Sequence, residues 1–359
     1  MSDEYSWMWI ERLFKKIPVP YPIVSLIAGG IIFSIYWLFS IKVAFFPWEK
    51  FHILEVAALS ILIVLQLAGI QYILNDMKRT FRELKLYPEI GASFDDLYVK
   101  LKYRFSISHW YYLLVVAVIV PFIIIKVLDT LEGGVTFYYI VEPTVWSFLF
   151  DIYNNVIDYL MLFLLAIILW TIFNIAWIFN EMDNDPYRRL IKIDIFSADR
   201  IGGLKQLRNF ILKILTFYFI CITLAIISYI SPFSILSYES FFLIILLLVG
   251  VGFFIMGLGT IRKLLKGRIE DEINKINKIY ESYHQRFIDI VSDGNYKDKE
   301  EELNLVPTII ENLHIERERI LKFNSNAMGY DRITIIEFVI SFIIPLITFL
   351  QKLFHFNIT

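Results

Sequence analysis

Three groups of polar residues lie inside or beside long apolar stretches of this sequence, and each suggests a different chemistry. In the last stretch, Thr334, Glu337, Ser341, Thr348 and Lys352 recur on one helical face, with Pro345 in the intervening turn and Gln351 at the end. A carboxylate in lipid is costly unless it faces water or a partner. Thr334, Glu337, Ser341, Thr348 and Gln351 are therefore candidate pore-lining residues, with Glu337 drawing cations to the mouth. The plainer reading is a packing stripe whose hydroxyls bond neighbouring carbonyls while Glu337 snorkels or pairs with Arg332.

The second group opens the fourth apolar stretch. Thr144, Ser147, Asp151, Asn155 and Asp158 follow helical spacing, and Asp151, Asn155 and Asp158 are candidates for an outer vestibule that receives a cation or ligand. A solvated helix end explains the same carboxylates more simply. The third group, Glu181, Asp183 and Asp185, closes that stretch. Clustered carboxylates at a membrane face would hold Mg²⁺ on a substrate diphosphate in a metal-dependent transferase. Such chemistry needs a second acidic cluster, and the only counterpart, Asn75-Asp76, lacks the further carboxylates. A water-exposed loop is the bland alternative. No zinc-protease, nucleophile-elbow or phosphate-loop signature occurs, and the five histidines have no ligand spacing. No cofactor is expected.

The elements that would position these residues are membrane helices. The 359-residue chain is 57% hydrophobic and 19% charged, with a mean hydropathy of +0.61. Its apolar residues gather in blocks of the length that crosses about 30 Å of hydrocarbon. Seven spans are expected, at roughly 23–46, 53–75, 109–129, 156–180, 208–230, 240–261 and 333–351. The net charge of −2 gives no reason to expect nucleic acid as a partner. The single cysteine, Cys221, excludes intrachain disulfides and Cys-based zinc sites. The first apolar block is too long for a cleaved leader and is expected to act as a signal anchor.

Of 34 lysines and arginines, all but Lys42, Lys50, Lys126, Lys213 and Lys352 fall in the N-terminus, in loops 76–108 and 181–208, or in segment 261–332. Positive residues stay in the cytoplasm. The N-terminus is thus placed inside and, with seven spans, the C-terminus outside. The expected layout is an amphipathic N-terminus (1–22), a six-helix region (23–261), a cytoplasmic hairpin (262–332), a seventh span (333–351) and an external tail (352–359). In the hairpin, Ile269, Ile273, Ile276, Tyr280, Tyr283, Phe287 and Ile290 alternate at steps of four and three, an a/d seam. A second helix begins near Pro307 and presents Ile310, Leu313 and Ile320 on one face. The seam packs either within the hairpin or against copies of the chain.

Seven spans, an inside N-terminus, a long fourth span and a helical segment before the seventh resemble the insect odorant and gustatory receptor superfamily. Thr348-Phe349 and Gln351 are similar to the gustatory branch's last-helix pattern, although Gln351 follows Thr348 by three positions instead of seven. The resemblance implies an all-α tetramer held by its cytoplasmic helices, a cation pore lined by the last helix, and ligand entry from the outer leaflet. The expectation is a multi-pass, homo-oligomeric cation channel of the plasma membrane, whose partners are lipid, inorganic cations and a small-molecule ligand. The rival classes are a metal-dependent transferase using Glu181, Asp183 and Asp185, and a non-conducting sensor or scaffold.

Overall fold

The computed structural model describes residues 8–42, 50–83, 99–100, 103–105, 109–131, 145–182, 204–228, 238–292, 300–326 and 332–354, and what it describes is almost entirely helical. In chain order the helices are α1 (Trp9–Lys16), α2 (Tyr21–Lys42), α3 (Lys50–Glu83), α4 (His109–Leu131) and α5 (Val145–Met182). They continue with α6 (Lys205–Ser228), α7 (Tyr238–Ser292), α8 (Glu300–Asn326) and α9 (Arg332–Phe354). The composition explains this uniformity. Lipid offers no hydrogen-bond partner, so a crossing segment must satisfy its own backbone, as a helix does.

Six of these helices are long and apolar enough to cross a membrane, in the stretches Tyr21–Phe39, Val56–Thr80, Phe148–Met182, Lys205–Ser228, Phe242–Ser292 and Thr334–Gln351. The chain thus has the build of an integral membrane protein. The expected span at 109–129 falls on α4, a 23-residue helix with Pro121 inside it. Within it, the described run Tyr111–Pro121 is apolar.

The membrane helices share one core. α3 packs against α2, α5 and α6, while α6 also packs against α7 and α9. Without a hydrophobic drive between helices in lipid, close approach and dispersion must hold them. Small residues provide that approach. A Cβ on Gly69 of α3 would lie 1.9 Å from the Phe217 ring of α6, and one on Gly250 of α7 would lie 2.8 Å from Phe219. Of the four glycines in this part of α7, Gly250 and Gly257 face α6, whereas Gly252 and Gly259 face open space.

α1 ends where Pro18 and Pro20 follow, and the Ile17 N–H caps it by donating to the Phe14 carbonyl. Met8, Ile10 and Phe14 are buried in the core shared with the membrane helices. Glu11, only 1% exposed, pairs there with Lys78 of α3. Arg12, Leu13 and Lys16 are exposed, so α1 is amphipathic, as its sequence implies.

The 55 residues of α7 make a helix about 80 Å long, well beyond a bilayer's thickness. α8 packs against it to form a hairpin. The expected seam contributes Ile269 and Ile290 as buried residues. Ile273, Ile276, Tyr283 and Phe287 are half-buried, and Tyr280 is exposed. On α8, Val306 and Ile320 are buried, with Ile310 and Leu313 half-buried. Much of the seam is therefore covered within the chain. Ile279, Ile288 and Val291 of α7, with Leu305, Ile315 and Leu321 of α8, are left as exposed apolar side chains.

Candidate polar groove across three membrane helices

The sides of α6 can be read from its contacts. Ile211 meets Gly257, and the buried Tyr218 hydroxyl donates to the Leu246 carbonyl at 2.8 Å, so this side faces α7. Phe217 meets Gly69 and Lys213 bonds Asp76, so the next side faces α3. Phe219 packs against Phe338 and Phe342 and Thr216 bonds Ser341, so a third side faces α9. At about 100° per residue, Lys213, Thr216 and Ile220 lie between the second and third sides. All three are exposed. α6 is thus the floor of an outward-facing groove walled by α3 and α9.

This groove is polar at one end. Lys213 Nζ lies 3.1 Å from Asp76 Oδ2 and 3.4 Å from Oδ1, and the Tyr72 hydroxyl neighbours the same ammonium. The Thr216 and Ser341 hydroxyls are 3.1 Å apart. Ser341 donates its hydrogen to the Glu337 carbonyl at 2.8 Å, so Thr216 is the donor to Ser341. Thr348 likewise turns its hydroxyl to the Ile344 carbonyl at 2.9 Å. These bonds back onto the helix remove the desolvation cost of hydroxyls in an apolar span.

α9 runs parallel to α6. Phe338 stacks on Phe254 of α7 with centroids 3.7 Å apart, and Phe254 sits between Gly257 and Gly250, which meet Ile211 and Phe219 respectively. Phe338 therefore lies N-terminal of the Phe219 level, and Phe342 lies beside Phe219. Lys213 and Glu337 each precede the Thr216–Ser341 bond by about one turn on their own helices, and Lys213 is held by Asp76. The Glu337 side chain is exposed and pairs with no described side chain.

The five last-helix candidates separate. Thr334 is fully buried, and its hydroxyl finds no partner among the described residues. Glu337, Ser341 and Thr348 share the groove side of α9. Ser341, Thr348 and Gln351 are half-buried. Tyr72, Asp76, Lys213 and Thr216 were missed as site residues. Asp76 and Lys213 are visible in the sequence only as isolated charges near span ends, and nothing local says that they meet.

Of the outer candidates, Asn155 and Asp158 are half-buried and already engaged, while the Asp151 side chain lies outside the described set. Near them the Tyr153 hydroxyl donates to the Ile32 carbonyl at 2.6 Å, tying α5 to α2. In the acidic cluster, Glu181 bonds Lys100 at 3.3 Å, and Asp183 and Asp185 lie outside the described residues. Among the described residues, no group of three or more His, Cys, Asp or Glu is gathered to hold a metal. Arg104 stands over the Trp177 ring at 4.4 Å, with its Nε donating to Asn174 at 3.1 Å. Burial holds the Arg104 pKa below its ordinary value, and Glu181 partly offsets this.

No protein-family model, curated protein or solved structure matches this chain, so its function is argued from the groove's own chemistry.

Proposed function

We propose that this chain is one subunit of a homo-oligomeric, cation-conducting channel, a tetramer in the plasma membrane, with the groove of α3, α6 and α9 bordering the ion path. α4 completes the set of seven spans, the N-terminus is cytoplasmic and the C-terminus external. The α7–α8 hairpin holds the subunits together through its remaining exposed apolar side chains, and a small molecule acting from outside gates the path.

One observation carries the reading. Glu337 projects from the outward side of α9, a helix whose other exposed residues there include Ile336, Ile340 and Ile344. A charged side chain facing the middle of a bilayer costs about 3 kcal/mol on insertion scales. A carboxylate near the end of a span and beside a polar groove avoids that cost by facing water. Subunits placed around an axis, with their grooves turned inward, supply the water and leave the isoleucines for subunit contacts. Rings of carboxylates select cations. Glu181, by contrast, is engaged by Lys100.

The test is subunit counting by native mass spectrometry in lipid nanodiscs, followed by cation flux from proteoliposomes. A tetramer whose flux or selectivity changes in Glu337→Gln supports the channel. A stable monomer rules out this assembly. A conducting oligomer indifferent to Glu337→Gln would place the path elsewhere.

A further inference from the structure

We propose that Arg104 holds the phosphate of an anionic phospholipid where α5 nears the end of its apolar stretch. The site requires a membrane-spanning α5 and does not require conduction. Arg104 is fixed against that helix in two ways. Its Nε donates to Asn174 Oδ1 at 3.1 Å, and its guanidinium stands 4.4 Å from the centre of the Trp177 ring. Asn174 is 1% exposed and donates its amide hydrogen to the Trp170 carbonyl at 2.8 Å, so the acceptor is itself held in place. Only one of the guanidinium's five N–H donors is spent in this way. Its Nη edge has no protein partner among the described residues.

A half-buried guanidinium loses hydration and does not shed its charge. Asn174 is neutral and does not offset that loss with an opposite charge. Glu181 attracts Arg104, but its Oε1 is bonded by Lys100 at 3.3 Å. Two cations therefore share one carboxylate, leaving a single net positive charge. The partner that fits is an anion with paired oxygens, because the planar Nη fork binds phosphate bidentately. Depth selects a lipid over a soluble ester. Asn174 and Trp177 belong to about the last three turns of the apolar stretch that ends at Met182, and tryptophan near a span's end marks the headgroup level. Tyr111 of α4 packs on Trp170 and on Tyr112, and Tyr112 and Leu113 are exposed. That surface suits an acyl chain and offers nothing to a free phosphate. A phosphodiester such as phosphatidylglycerol carries one negative charge, the complement of the cluster.

The experiment is native mass spectrometry of the full-length protein in detergent, titrated with phosphatidylglycerol and, for comparison, with net-neutral phosphatidylcholine. The wild type should favour phosphatidylglycerol, and Arg104→Gln should bind it at least about tenfold more weakly. Arg104→Lys keeps the charge without the fork and should lose several-fold. Lys266→Gln, which removes an exposed cation of α7, should match the wild type. In phosphatidylcholine nanodiscs, added phosphatidylglycerol should raise the Tm of the wild type and not that of Arg104→Gln, and the same melts show that the variant is folded. Should Arg104→Gln not fold, the loss in Arg104→Lys decides. Unchanged affinity in either folded Arg104 variant, or an equal loss in Lys266→Gln, overturns the proposal. So does glycerol phosphate that binds the wild type as tightly as the lipid and depends on Arg104, since the site would then serve a soluble ester.

Discussion

α5 and α9 are both apolar enough to cross a bilayer, yet 67% of the most apolar 18 residues are buried in the first and 17% in the second. α5 is the centre of the bundle. Its polar residues are absorbed: Thr171 bonds the Ile167 carbonyl and approaches Met8, and Asn174 bonds the Trp170 carbonyl and receives Arg104. α9 touches the bundle along one side only, and Glu337 on it is exposed. In a membrane, an apolar surface says little about burial, because lipid is as apolar as a protein core. The informative residue is the polar one left outside. On that ground α5 is a structural helix, and α9 presents most of its surface outside the bundle.

The contrast can be broken at several points. Lys78→Met should have the largest effect. It leaves the Glu11 carboxylate buried without its Lys78 ammonium, at a cost of about 3–5 kcal/mol. Thermal unfolding in nanodiscs should show this as a drop in Tm, whereas Glu337→Gln should leave Tm unchanged. An equal drop in both would mean that Glu337 is as integral to the bundle as Lys78.

Ile167→Ala on α5 comes next. It should cost about 2 kcal/mol, the low end of the soluble-core range, since lipid supplies no transfer term and only the packing is lost. Ile340→Ala, at a residue 56% exposed on α9, should leave subunit stability unchanged and loosen the oligomer. The readouts are Tm and native mass spectrometry respectively. Gly69→Ala should follow, destabilising by about 1–2 kcal/mol because the new methyl overlaps the Phe217 ring. Gly252→Ala, which meets open space, should be neutral or slightly stabilising in the same melts. The smallest effect belongs to Thr216→Val. One interhelical hydrogen bond in a membrane protein is worth about 0.6 kcal/mol, and a double-mutant cycle with Ser341→Ala should return that coupling. A coupling near zero would detach α9 from α6 at this level.

Much of this was legible in the sequence. Membrane helices announce themselves because lipid imposes both an apolar composition and a minimum length, so α2, α3, α5, α6, α7 and α9 all lie where hydropathy put them, some extended by many residues. The α7 seam was legible for the same kind of reason, since a 3.5-residue period needs no knowledge of the partner. The partner itself was not. Ile269 and Ile290 are buried in the subunit, and periodicity does not distinguish a neighbouring helix of the same chain from one of another.

The groove was half legible. Glu337, Ser341 and Thr348 share a face by spacing alone, because helical geometry is local. The meeting of Ser341 with Thr216, and of Asp76 with Lys213, is not local. It depends on which sides of α6 receive α3 and α9, and those sides are chosen by where Gly69 admits Phe217 and where Phe219 meets Phe338 and Phe342. Thr334 shows the same limit from the other direction: it belongs to the stripe by spacing, yet close packing buries it. The sequence by itself determined the helices, their lengths and the polar stripe, because these follow from solvent and period. Only the tertiary structure decided which stripe residues face outward and which distant charges join them, because helix-on-helix contact is set by the fit of side chains far apart in the chain.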